Sequence, residues 1–137
     1  PMRDIKVIAT DIDKQILEKA KAGLYNVKSL KALPKEFVDK YFIKISDTSY
    51  QIMDEVKKCV EFKQHNLLKD EYPSQCDLIV CRNVVIYFTE EAKEVIYRKF
   101  SDSLVPNGVL FVGSTEQIIH PASVGFESIR AFFYRKR

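Results

Sequence analysis

Three short stretches of this sequence carry residue types suited to holding a small polar ligand. Asp11 closes the apolar run Ile5-Lys6-Val7-Ile8-Ala9-Thr10. Asn66 and Leu67 follow the run Val60-Glu61-Phe62, and Arg82-Asn83-Val84-Val85-Ile86-Tyr87-Phe88 extends the run that begins at Asp77. A carboxylate such as Asp11 accepts hydrogen bonds from the hydroxyls of a ribose, and equally from the N–H groups that open a helix. Both readings stand for Asp11, with Asp13 the other candidate for the cap. Asn66 offers a donor and an acceptor to an adenine edge and Leu67 an apolar surface to its face, while a polar turn beside a buried leucine accounts for the same pair. The third stretch favours a site. A polar pair leading into an apolar, aromatic loop makes the mostly apolar pocket with few polar anchors that small cofactors use.

Other chemistries lack their residues. The two histidines, His65 and His120, come with no GxSxG element, which disfavours a hydrolase triad. Cys59, Cys76 and Cys81 form no CxxC pair and show no zinc-ligand spacing, so they read as reduced thiols, Cys76 and Cys81 as apolar fillers. Neither a Walker lysine loop nor GxGxxG is present.

The elements that position the three stretches follow from periodicity. Residues 5–10 are β-branched and apolar, and Asp11-Ile12-Asp13 leads into a helix expected from Lys14 to Ala22, with Ile16, Leu17 and Ala20 on one face. Gly23 stands where a left-handed C-cap is needed. From Asn26 to Tyr41 the spacing of Leu30, Leu33, Phe37, Val38 and Tyr41 predicts short helices, with Pro34 in a first turn. Phe42 to Ile45 and Ser49 to Met53 read as a hairpin followed by a short strand at Val60-Glu61-Phe62, together an inserted β flap at about 42–62. The run from Asp77 to Arg82 is so apolar that a parallel strand buried on both faces is expected. Thr89 caps a helix reaching Leu104, with Ile96, Phe100 and Leu104 inward, and Pro106-Asn107-Gly108 turns the chain into the strand Val109 to Val112. Phe126 to Ile129 and Arg130 to Tyr134 form a closing hairpin. This alternation predicts one α/β domain over residues 1–137 with a largely parallel sheet, and ligands beyond the carboxyl ends of its strands.

Composition agrees with a single globular domain, with 46% hydrophobic and 30% charged residues in a chain of 137. The net charge of +3, from 22 basic and 19 acidic residues, is spread along the chain apart from Arg135-Lys136-Arg137, too mild to predict nucleic-acid binding. No apolar run has the length of a membrane helix and the N-terminus shows no secretory pattern, so a cytoplasmic protein without membrane insertion is expected.

The segments Ala9-Thr10-Asp11-Ile12-Asp13, Ala22-Gly23-Leu24-Tyr25, Tyr41-Phe42, His65-Asn66-Leu67-Leu68, Asp77 through Phe88, Pro106-Asn107-Gly108 and Gly113-Ser114-Thr115-Glu116 resemble, in order and spacing, the CheR chemotaxis receptor methyltransferases. The resemblance implies a Rossmann-like class I methyltransferase sheet with a small antiparallel flap. It also implies methyl transfer from S-adenosylmethionine to glutamate side chains on the cytoplasmic domain of a chemoreceptor, with S-adenosylhomocysteine as product. On that resemblance Asp11 holds the ribose, Asn66 and Leu67 the adenine, and Asn83 and Val84 border the cofactor, while Tyr87 lies near the reacting methyl group. Tyr87 orients the carboxylate or only packs, and Arg82 attracts the acidic substrate or makes a structural ion pair. Family members also carry an N-terminal helical domain and a first sheet strand with a small-residue loop, which this sequence does not contain. Two expectations follow from that difference. The isolated chain should be unstable or repair the sheet by swapping or forming a homo-oligomer, and a non-catalytic binding or assembly module is the alternative to an enzyme. The short, glycine-free turn Ser46-Asp47-Thr48 points to a member independent of a receptor tether.

Overall fold

In the computed structural model, described over residues 2–137, the chain divides into two compact units, the first ending at Asn66 and the second running from Leu67 to Arg137. Pro1 lies outside the described residues.

The first unit is built around a parallel pair. Strand β1 (Val7–Asp11) lies against β5 (Val60–Gln64) in a register that sets Val7 opposite Val60 and Asp11 opposite Gln64. Between them runs α1 (Lys14–Ala22), whose limits match the sequence expectation. Its N-cap is Asp13, whose side chain accepts the Gln15 N–H at 2.8 Å. Its C-cap is Gly23 at φ 68, with the N–H donating to the Lys19 carbonyl. Glycine is required there twice over, because a Cβ would stand 2.6 Å from Ile52 Cγ2.

The flap is a three-stranded antiparallel sheet, in the order β2 (Leu24–Asn26), β4 (Ser49–Ile52), β3 (Phe42–Lys44). The hairpin β3–β4 is the one expected, but two features differ from the sequence reading. Leu24-Tyr25-Asn26 adds an edge strand, pinned where Tyr25 meets Phe42 edge-on at 5.8 Å. Val60–Gln64, grouped with the flap by proximity in sequence, pairs with β1 instead, since its alternating residues match that parallel register. Pro34 is the N-cap of α2 (Lys35–Tyr41) rather than a residue of its first turn, and the single turn α3 (Asp54–Lys57) lies between β4 and β5.

The second unit holds a four-stranded sheet in the order β6 (Cys76–Cys81), β7 (Leu104–Val112), β9 (Phe133–Lys136), β8 (Phe126–Arg130). The β6–β7 pair is parallel and joined through α4 (Glu90–Ser103); the other two pairs are antiparallel. The Thr89 hydroxyl caps α4 by accepting the Ala92 N–H at 3.2 Å. From α4, Ile96 and Phe100 enter a core completed by Leu104, Leu110, Val112, Val124, Phe126 and Tyr134, all buried. The strand expected at Val109 begins earlier, at Leu104, because Pro106-Asn107-Gly108 is accommodated as an irregularity in the β6–β7 register with Asn107 at φ 68.

One expectation fails here. The strand β6 is not buried on both faces, since Leu78 is 57% and Val80 59% exposed. It is an edge strand, laddered on one side to β7, and among the described residues nothing covers the face that carries these two side chains. The basic tail, by contrast, is structural, with Arg135 paired to Glu127 at 2.6 Å and the Lys136 ammonium donating to the Leu104 carbonyl at 2.8 Å.

Candidate functional site

At the carboxyl end of the parallel pair in the first unit, the helix cap falls to Asp13 rather than Asp11. Asp13 caps the helix, and Asp11 Oδ1 accepts the Asp13 N–H at 2.9 Å, so the Asp11 carboxylate stands ahead of the cap at the strand end. The His65 N–H donates to the Asp11 carbonyl at 3.0 Å, and Gln64 Nε2 donates to the Ile12 carbonyl at 2.9 Å. These two bonds carry the β5 chain past the end of β1 and bring Asn66 to the same end of the pair as Asp11. His65 is buried.

In the second unit Leu67 is half-buried against the core, and its carbonyl accepts the Tyr72 hydroxyl at 2.7 Å. Burial, and secondarily the neighbouring Cys81, pushes the Tyr72 hydroxyl well above its ordinary range, so it stays a donor.

The end of β6 is the most constructed part of the unit. Asn83 adopts φ 60, a left-handed conformation that asparagine tolerates better than most residues. The chain then leaves the strand through Val84 into a short 3₁₀ turn, Val85–Tyr87. Val85 is fully buried, whereas Tyr87 is 84% exposed and Val84 is also exposed. What holds this turn is Glu116, a residue to which the sequence reading gave no role. Glu116 is buried, and its carboxylate accepts four backbone N–H groups. Oε1 takes those of Asn83 and Gly113, and Oε2 takes those of Val84 at 3.1 Å and Val85 at 2.9 Å. A buried carboxylate is costly unless so satisfied. The Tyr97 hydroxyl donates to the Glu116 carbonyl at 3.2 Å, and the Glu116 N–H closes a tight turn onto the Gly113 carbonyl at 3.0 Å. Burial, with the Glu116 charge second, pushes the Cys81 thiol up to about 12 and raises the Tyr97 hydroxyl as well.

Arg82 makes no ion pair among the described residues. Its guanidinium lies 4.5 Å from the Phe111 ring centroid, and Phe111 stacks on Phe133 at 4.3 Å with planes 4° apart. Thus Asp11 and Asn66 share one strand end in the first unit, and Arg82, Asn83, Val84 and Tyr87 share another in the second. The signal for Glu116 was available as an acidic residue three positions beyond a glycine that follows a buried strand. Its partners at Asn83, Val84 and Val85, more than thirty residues back, were not legible. Among the described residues no group of histidine, cysteine, aspartate and glutamate is arranged to hold a metal ion, and no helix is long and apolar enough to cross a membrane.

Comparison with known proteins follows the same lines. Residues 1–132 match the family described as CheR methyltransferase, SAM binding domain. A chemotaxis protein methyltransferase of Listeria innocua is 45% identical over 98% of this chain and 51% of its own length. That of Salmonella typhimurium is 40% identical over 81% of this chain and 40% of its own. The chain therefore spans about half the length, or less, of the curated relatives it matches. A TehB-like SAM-dependent methyltransferase from Corynebacterium glutamicum superimposes with a TM-score of 0.52 at 14% identity, over 96% of this chain and 66% of that one, a likeness of fold.

Proposed function

The chain belongs to the CheR methyltransferase family, as its S-adenosylmethionine-binding domain, and from that premise we propose that the protein carrying it esterifies glutamate side chains of a chemoreceptor's cytoplasmic domain. The observation that carries the reading is the pairing of a family match over nearly the whole chain with intact polar groups at two strand ends, where ligands of open α/β sheets bind.

The residues fit an adenosyl ligand. In the first unit Asp11, beside the Asp13 cap, suits the ribose hydroxyls and the Asn66 amide an adenine edge; in the second unit Leu67 offers an apolar surface of the kind an adenine face takes. Asn83 and Val84 border the remainder. S-Adenosylmethionine, when bound, supplies an electrophilic methyl group on a sulfonium, which leaves as the neutral thioether of S-adenosylhomocysteine once the methyl has passed to a carboxylate oxygen. A glutamate is already ionised near neutral pH, so no general base is asked of this chain. Its contribution is orientation and exclusion of water. The exposed Tyr87 hydroxyl is placed to orient the incoming carboxylate by a hydrogen bond. Arg82, its guanidinium 4.5 Å from the Phe111 ring centroid and without an ion pair among the described residues, carries the positive charge that attracts an acidic substrate.

The reading places the protein in the cytoplasm. It also gives the uncovered edge strand β6, with Leu78 and Val80, a further strand to pair with. The test uses the intact protein with methyl-labelled S-adenosylmethionine and a receptor cytoplasmic fragment. Alkali-labile label on the fragment, lost in Asp11→Ala and reduced in Tyr87→Phe, is the expected result. Label that survives alkali, or none, contradicts an ester-forming activity.

A further inference from the structure

We propose that Glu116 is the positioning residue of the cofactor-binding turn, holding Asn83, Val84 and Tyr87 in place through the backbone rather than touching ligand itself. The inference rests on the methyltransferase reading above and adds to it a residue outside the ligand-contacting set.

Three observations converge on it. The first is saturation, since each Glu116 oxygen accepts two N–H groups and three of the four belong to consecutive residues 83, 84 and 85. One carboxylate therefore fixes the direction of three peptide planes where the chain leaves β6. The second is conformation. Asn83 sits at φ 60, which a non-glycine residue keeps only when its surroundings demand it. Without the carboxylate, three converging N–H groups would be left without an acceptor, and the turn would relax toward the strand. The third is space. A Cβ on Gly113 would collide with Glu116 Oε1 and stand 2.7 Å from Asn83 Oδ1, so the turn, the carboxylate and residue 113 are packed to contact. The product of this arrangement is a turn buried at Val85 and open at Val84 and Tyr87, the side chains the reaction needs exposed.

Glu116→Gln is the discriminating change. It preserves shape but replaces one acceptor oxygen with an NH₂ group, so two backbone donors face a donor. Hydrogen exchange of the intact wild-type protein should show strong protection of the Asn83, Val84 and Val85 amides. In Glu116→Gln these amides should exchange faster while those of β7 stay protected. At a temperature where the variant remains folded by circular dichroism, its affinity for S-adenosylhomocysteine should fall by about tenfold or more, the worth of one charge-assisted hydrogen bond. A role confined to stability would lower the melting temperature and leave that affinity unchanged, which overturns the proposal. So does rapid exchange of the three amides in the wild type, a measurement that needs no variant to fold. Failure of the wild type itself to bind S-adenosylhomocysteine while the amides remain protected would instead refute the methyltransferase reading, and the inference with it.

Discussion

Replacing Gly113 with alanine tests the packing of the β6 turn more sharply than any truncation in the core. Residue 113 does not use a left-handed backbone, so alanine carries no conformational penalty there and the cost must come from collision. The added methyl would overlap Glu116 Oε1 and lie 2.7 Å from Asn83 Oδ1 and 3.1 Å from the Asn83 nitrogen. The carboxylate cannot swing aside without releasing N–H donors, each charge-assisted bond being worth about 1.5–3 kcal/mol. Overpacking alone costs about 1–3 kcal/mol. Since relaxation trades one against the other, Gly113→Ala should destabilise the second unit by about 2–4 kcal/mol. Cys81 provides the assay, because its side chain is only 8% exposed and its labelling in urea, located by mass spectrometry, reports opening of this unit. The same substitution made in a Glu116→Ala background should cost far less, because the colliding atom is gone. A cost below about 1 kcal/mol, or one that persists undiminished without the carboxylate, refutes the reasoning.

Other outcomes follow from the same structure. Leu110→Ala, at a fully buried position on β7, should destabilise by about 2–5 kcal/mol in the same labelling assay. Alkaline pH should weaken the fold. Cys81 ionises near 9.0 when unfolded and only at about 12 when folded, so above pH 9 the unfolded state sheds a proton the folded state keeps. The stability from this group is whole below pH 9 and lost as pH rises toward 12; Tyr72 and Tyr97, also raised by burial, act in the same direction. Denaturation midpoints should fall across that window and fall less in Cys81→Ala, whereas a flat profile contradicts the burial argument. With β6 exposing Leu78 and Val80 on an unpaired edge, this chain on its own should scatter light as an assembly or melt without cooperativity. A cooperatively melting monomer contradicts that.

Local chemistry made much of this architecture legible. A cap at Asp11 or Asp13, the Thr89 cap, the Gly23 stop and the inward face of Ile96 and Phe100 are written in adjacent residues, and helices obey adjacent residues. The polar groups that follow β1, β5 and β6 were identifiable for the same reason. What escaped depends on contacts remote in sequence. The edge position of β6 follows from strand order, which hydropathy does not record, so an apolar run that reads as doubly buried exposes Leu78 and Val80. The seat of Arg82 on Phe111 arises from a parallel register, in which the strand partners Cys81 and Val112 set the two side chains near each other. The Glu116 clasp joins residues separated by more than thirty positions, and a carboxylate gripping backbone N–H groups leaves no pattern in its partners' side chains.

Calorimetric titration of S-adenosylmethionine and S-adenosylhomocysteine, with Asp11→Ala and Asn83→Ala beside the wild type, tests most directly whether these strand ends hold the cofactor. Saturable binding of both ligands to the wild type, weakened severely in each variant while both variants remain folded, is the predicted result. Undiminished binding in folded Asp11→Ala and Asn83→Ala proteins would contradict it.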